Sequence, residues 1–122
     1  MILINKTING QIFKCDSCEA IHIEYKNLSF NFSVQQFDNF ADYLSKLDGK
    51  KWEEKNKNSS YKRKIIIPIG HKSFNVLLNN EELQELNSLF NQIGKHIKPI
   101  KITERIVHSA QIVNMNFTHF LN

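Results

Sequence analysis

Two cysteines separated by two residues are the part of this sequence with the most recognisable chemistry. In Cys15-Asp16-Ser17-Cys18 the central pair favours a tight turn, which would bring both sulfur atoms to one side. Two thiolates at this spacing can bind one zinc ion, with each sulfur about 2.3 Å from the metal. We therefore predict a candidate metal site with Cys15 and Cys18 as ligands and zinc as its cofactor.

A complete structural zinc site needs four ligands, and this chain has only two cysteines. His22 follows Cys18 by four residues, about 13 Å along an extended strand, and this separation argues against His22 as a third ligand. A second copy of the chain could contribute its own cysteine pair. The remaining candidate ligands within the chain are Asp16, Glu19, His96, His108 and His119.

The favoured interpretation of the cysteine pair is that the two residues are inert packing residues. Zinc binding is the first alternative, and a thiol redox pair is the second. Redox pairs of the thioredoxin type lie at a helix N-terminus, which lowers the thiol pKa. Residues 19–25 alternate like a strand, so that helix is absent and the redox role ranks below zinc binding.

The basic stretch at residues 50–64 is a second candidate site. It contains seven lysine or arginine residues and two aromatic residues, interrupted by two glutamates. Basic side chains can neutralise phosphates while an aromatic ring stacks on a base. A solvated loop with its tryptophan against the core is the favoured interpretation, because charge runs specify little. The candidate nucleic-acid contacts are Lys51, Trp52, Lys62 and Arg63.

Composition limits the class of protein further. The formal net charge of +4 is weak evidence for a nucleic-acid partner, because AT-rich codons alone favour lysine, isoleucine, asparagine and phenylalanine. No segment has the roughly 18 consecutive apolar residues of a membrane helix, and the N-terminus lacks a signal-peptide pattern. We therefore predict a cytoplasmic protein whose cysteines are reduced and form no structural disulfide.

Changes of hydrophobic period predict the elements that must position these residues. Period-two segments followed by helical spacing predict a β-β-α unit at 12–47, whose helix begins at the N-cap Ser33 with Gln36 in a capping box. Gly49 is expected to end this helix. Asn9-Gly10 before this unit is a favoured hairpin turn. The pattern recurs 46 residues later as a second unit at 62–93, with Asn79 as the N-cap and Glu82 completing its capping box. Pro68 lacks an N–H, so the first strand of this unit is expected to be at an edge or bulged there.

These units predict one α+β domain over residues 1–122. It should have two layers, a mainly antiparallel sheet with two helices on one face, built from two similar β-β-α units. Residues 48–61 are expected to form a basic loop. Residues 94–122 form an apolar C-terminal tail, which must pack on its own domain or on a partner, so we predict a homodimer through this tail.

The cysteine motif and the strand after it resemble a known family. The similarity covers residues 12 to 93 and is most specific in Cys15-x-x-Cys18-x-x-Ile21-His22-Ile23-x-Tyr25-x-Asn27, followed by Leu28, Phe30, Phe32 and a capped helix. This run resembles a family of small uncharacterised bacterial proteins that contain CxxC, classified as a domain of unknown function. The resemblance implies no activity, substrate or catalytic residue. Glycine is common in that pattern where this chain has Lys26, so a different turn is expected here.

The functional prediction follows from what is present and what is missing. The sequence has no phosphate-binding glycine loop, no G-x-S-x-G and no H-E-x-x-H, and we predict no catalytic residue, which argues against an enzyme. The favoured function is a small non-catalytic intracellular protein-interaction or regulatory module with a CxxC zinc half-site. The alternatives are a nucleic-acid-associated protein that uses residues 50–64 and a thiol redox protein.

Overall fold

A computed structural model of the protein describes residues 1–17 and 19–92. Cys18 and the predicted tail at 94–122, with its predicted homodimer contact, lie outside the described residues. The described part confirms the α+β class. In chain order its elements are β1 (Ile2–Thr7), β2 (Gly10–Lys14), β3 (Ile21–Tyr25), β4 (Leu28–Phe32), α1 (Val34–Ser45), α2 (Gly49–Lys55), β5 (Ile65–Ile69), β6 (His71–Leu78) and α3 (Asn80–Asn91).

Strands β1 to β4 form an antiparallel meander in which each strand pairs with the next. The first turn is shifted by one residue from the predicted Asn9-Gly10 pair. Thr7 lies opposite Gly10, so the two turn residues are Ile8 and Asn9, and Gly10 begins β2. The reason for a glycine at this position is therefore the space around β2 and not the turn.

Gly10 lies where β3 and α3 come close to β2. A Cβ atom on Gly10 would lie 2.7 Å from the backbone oxygen of Glu24 and 2.8 Å from Cδ2 of Leu89. Gly10→Ala is therefore expected to lower the free energy of unfolding by about 1–2 kcal/mol, measured by urea denaturation. Ile8→Ala in the same hairpin is the control, because Ile8 is 92% exposed. Equal stability of the two variants would show that the backbone relieves the contact and would contradict the prediction.

Strands β5 and β6 form a second, separate antiparallel sheet within the described residues. The 46-residue alignment places Ile67 on Ile21, but the two residues pair differently. Ile21 lies opposite Phe32, whereas Ile67 lies opposite Val76, two residues short of the aligned position. The register shift after Pro68 agrees with the predicted bulge at a residue that lacks an N–H. The second strand and the helix thus follow the alignment, and the first strand is present in both units but pairs two residues out of the aligned register.

The segment predicted as a basic loop contains helix α2. The side chain of its N-cap, Asp48, accepts a hydrogen bond of 3.1 Å from the backbone N–H of Lys51. Gly49, which we expected to end the preceding helix, is buried at the start of α2, and α1 ends at Ser45. Trp52 is partly buried against the core, as the favoured interpretation predicted. Hydrogen bonds from the backbone of Asn80 to Glu53 and from Asn56 to the carbonyl of Lys64 also hold this polar stretch against the rest of the domain.

Helices α1 and α3 pack on each other and on the first sheet. Helix α1 contacts β4, while α3 contacts β1 and β2 and also reaches α2 and β6. The fully buried rings of Phe37 and Phe90 stack with centroids 4.7 Å apart and join the two helices. None of the described helices is long or apolar enough to cross a membrane. Both predicted capping boxes are present, formed by Ser33 with Gln36 and by Asn79 with Glu82.

Candidate functional site

Cys15 follows directly after β2, and its side chain is half-buried. The residue is disulfide-bonded, which corrects the prediction of reduced cysteines without a disulfide. That prediction came from the expected compartment. Disulfide formation depends on the approach of two sulfur atoms, and the predicted Asp16-Ser17 turn between the cysteines already favoured such an approach. The chain's other cysteine, Cys18, lies outside the described residues.

Among the described residues, His22 on β3 lies in contact with this sulfur. The Sγ atom of Cys15 lies 3.6 Å from Nε2 of His22. Strands β2 and β3 are antiparallel with Phe13 opposite His22, and Cys15 lies two residues beyond Phe13 on the same face. The sequence argument against His22 measured distance along one strand from Cys18. It missed this approach across the hairpin, which the alternation of Phe13, Cys15 and His22 could have indicated.

Asn31 on β4 fixes the orientation of the His22 ring. The two residues are opposite each other in the β3–β4 pair, and Nδ1 of His22 lies 2.6 Å from Oδ1 of Asn31. Because an amide oxygen only accepts hydrogen bonds, this contact places a hydrogen on Nδ1 and leaves Nε2 facing Cys15. The ring of Phe13 stacks on the imidazole with centroids 5.1 Å apart. The imidazole is thus held by neighbours on both adjacent strands.

The distance between Sγ of Cys15 and Nε2 of His22 can be compared with the distance between two ligands of one zinc ion. Two ligands of one tetrahedral zinc, a sulfur at about 2.3 Å and a nitrogen at about 2.05 Å, are themselves about 3.6 Å apart. The observed separation of 3.6 Å matches that value. Within residues 1–17 and 19–92 no cluster of three or more metal-ligating side chains is present, so a third ligand must come from elsewhere. Asp16, one of the sequence candidates, lies 3.6 Å from the N-terminal ammonium group and is exposed.

The four predicted nucleic-acid contacts have different surroundings. Arg63 donates hydrogen bonds of 2.7 and 3.2 Å to the carboxylate of Glu82, so its charge is paired within the domain. Trp52 packs against the core, and Nζ of Lys55 lies 5.5 Å from the centre of its ring. Lys51 and Lys62 are exposed. Two of the four side chains are thus engaged by the protein's own core and ion pairs.

Glu82 is a charged residue whose importance the sequence did not reveal. It was predicted only as part of a capping box, but it is buried and also accepts a hydrogen bond of 2.7 Å from Nζ of Lys26. Burial alone would raise the pKa of Glu82. Hydrogen bonds from Arg63, Lys26 and the backbone of Asn79 outweigh burial and lower the pKa to about 2. These contacts join the β3–β4 turn, the segment before β5 and the start of α3, which is a structural role.

Lys26 has the backbone conformation that glycine adopts most easily. Its φ angle is 52°, in the left-handed region, and its backbone N–H donates a hydrogen bond of 2.8 Å to the carbonyl of Asn9. The resemblance suggested a different turn here because glycine is common at this position. The backbone conformation is instead one that glycine adopts readily, and the lysine adds an ion pair with Glu82.

Comparison with known proteins places the chain in a family without assigning a function. No curated protein and no solved structure matches this sequence. One family model, described as a family of unknown function, matches residues 1–121. The match includes the four-stranded sheet, the cysteine motif and all three helices, and it extends past the 12–93 region of resemblance on both sides. The chain therefore belongs to the family of unknown function DUF6686.

Proposed function

We propose that this protein is a small metal-binding regulatory module in which Cys15, Cys18 and His22 hold one zinc ion when the cysteines are reduced. The observation that carries the proposal is the 3.6 Å separation between Sγ of Cys15 and Nε2 of His22. Three protein ligands would leave the fourth ligand of a bound zinc ion to be supplied by a water molecule. This site replaces the two-cysteine half-site expected from the sequence.

The ligand set favours zinc over the common hard cations. Thiolate sulfur and imidazole nitrogen suit zinc, whereas calcium and magnesium prefer oxygen ligands. Asn31 supports the site as a positioning residue, because its contact with Nδ1 of His22 leaves Nε2 directed at the metal position. Phe13 shields one face of the imidazole and limits its rotation.

Reduction of the cysteines controls metal binding in this proposal. A small disulfide such as oxidised glutathione takes two electrons from the two cysteine thiolates and becomes two thiolates itself. A sulfur–sulfur bond then joins Cys15 to Cys18, and the zinc ion leaves with its charge unchanged. The disulfide-bonded state of Cys15 supports this oxidised form. In this proposal the redox reaction of the two cysteines, which the sequence analysis treated as an alternative function, determines whether zinc is bound.

The first test measures zinc per chain and native mass on protein purified under reducing conditions without a chelator. We expect one zinc per chain, in a monomer or in a tail-mediated dimer, and its loss in Cys15→Ser. In competition with a chelating dye, Asn31→Leu should weaken zinc binding by about 10–100-fold, and His22→Gln should weaken it further, because it removes a ligand. His71→Gln is the matched control on the second sheet and should leave the affinity unchanged.

Two results would contradict the proposed site. One zinc per two chains, lost together with a dimer in Cys15→Ser, would indicate a shared four-cysteine site without His22. A reduced protein with two titratable thiols and no zinc affinity would show that the cysteines hold no metal. Adding oxidised glutathione to the zinc-loaded protein should release the metal in step with the loss of two thiols, and zinc retention would contradict the redox control.

A further inference from the structure

A groove of about 630 Å³ lies between α1 and the turn that joins β5 to β6. This volume is typical of pockets for small molecules, which are mostly apolar with a few polar groups. One wall is aromatic, because the rings of Phe32 and Phe40 lie 5.6 Å apart and Tyr43 continues the row 6.1 Å beyond Phe40. Pro68 and Ile69 form the apolar wall on the side of β5.

The polar side chains that line the groove are carboxamides, the phenol of Tyr43 and the imidazole of His71. No lysine, arginine, aspartate or glutamate lines it within the part of the chain that the structure describes. Apart from His71, the lining offers a charged ligand no partner for an ion pair in return for its lost hydration, which favours a neutral molecule. The carboxamides of Asn31 and Asn39 can donate and accept hydrogen bonds to a neutral polar group.

We propose that this groove binds a small, uncharged, planar aromatic molecule that carries an amide-like polar group. The ring of such a ligand packs against the aromatic row, where offset or edge-to-face contacts are favourable. Its polar group contacts the asparagine side chains. Burial raises the pKa of Tyr43, so the phenol stays protonated and can donate a hydrogen bond.

The groove and the proposed metal centre are separate sites that share one residue. Asn31 lines the groove and also holds Nδ1 of His22. A ligand that contacts Asn31 is therefore expected to change the NMR signals of His22 as well as those of the groove. The groove proposal does not depend on zinc binding, so either proposal can fail without the other.

The test uses three probes of similar size on the full ¹⁵N-labelled chain: benzamide, benzoate and benzylamine. We expect benzamide to produce saturable shifts of the backbone signals of residues 31–43 and 68–71. The anion and the cation should bind at least about 10-fold more weakly, which corresponds to about 1.4 kcal/mol. Tyr43→Ala should abolish the benzamide shifts, while Tyr61→Ala, the same change at an exposed tyrosine outside the groove, should not.

Four results would overturn the proposal. Equal binding of benzoate or benzylamine would remove the charge argument, and the absence of saturable shifts with benzamide would remove the site. Nuclear Overhauser contacts between the groove and residues 93–122 in the free protein would identify the chain's own tail as the occupant. Shifts of groove signals with protein concentration alone would identify a second copy of the chain.

Discussion

Replacing Phe90 by alanine is expected to lower the free energy of unfolding by about 4 kcal/mol. The ring is fully buried on α3, stacks on Phe37 at 4.7 Å and meets the edge of Phe40 at 5.2 Å. The substitution removes the buried ring and leaves a cavity where α1 and α3 meet. The loss of stability therefore exceeds the free energy of transferring the ring from the protein interior to water. Urea denaturation followed by circular dichroism gives the change.

The same substitution at Phe74 is the matched control. Phe74 lies on β6 and is 67% exposed, so Phe74→Ala should change the free energy of unfolding by less than about 0.5 kcal/mol. If Phe90→Ala does not fold, Phe90→Leu serves as the milder variant, with an expected loss of about 1–2 kcal/mol. If both Phe90→Ala and Phe90→Leu lower the free energy of unfolding by less than about 1 kcal/mol, the two helices do not pack through this ring.

Glu82→Gln is expected to lower the free energy of unfolding by about 2–3 kcal/mol at neutral pH. The carboxylate is buried and accepts hydrogen bonds from Lys26, Arg63 and the backbone of Asn79. The neutral amide keeps the size of the side chain but removes the charge that these donors stabilise. The estimate is reduced for the partners, which are about half exposed and therefore screened by water.

The loss in Glu82→Gln should depend on pH with a defined sign. The pKa of Glu82 falls from 4.5 to about 2 on folding, so the native state holds this proton less tightly than the unfolded state. The stabilisation is complete above pH 4.5 and disappears as the pH falls towards 2. The free-energy difference between wild type and Glu82→Gln should therefore narrow over that interval.

Glu81→Gln is the control for this pH dependence. It makes the same change of charge one residue earlier in α3, at an exposed position. Its effect should stay within about 0.3–1 kcal/mol, the usual size of a helix-terminus charge effect. A constant difference between wild type and Glu82→Gln from neutral pH down to pH 2 would show that this carboxylate is not stabilised by its charge.

The features that the sequence predicted well are local ones. Each capping box involves two residues three positions apart, and each strand period depends on neighbouring side chains. A short stretch of sequence therefore contains the information needed to predict them. Helix α2 was missed because one tryptophan in a charged stretch gives almost no periodic signal. The division into two sheets was missed because pairing between strands of different units depends on contacts between distant parts of the chain, which local periods do not specify.

The sequence predicted only part of the candidate site, for a different reason. The sequence indicates Cys15 as a ligand by its spacing from Cys18, but the approach of His22 depends on the register between β2 and β3. Asn31 then depends on the register between β3 and β4. The two-residue turn between β3 and β4 could have given the second register, whereas the longer connection between β2 and β3 leaves the first register undetermined. The partners of Glu82 come from elements separated by 19 and 56 residues, beyond the reach of local patterns.

The contact between β1 and α3 has a consequence for synthesis of the protein. The side chain of Asn5 donates a hydrogen bond of 2.8 Å to the carbonyl of Leu89, across 84 positions of the chain. Ribosomes add about 5–20 residues per second, so the first hairpin waits roughly 4–16 seconds for its covering helix. During that interval the nascent chain presents Ile4 and Ile12 to the cell, as a surface to which chaperones can bind.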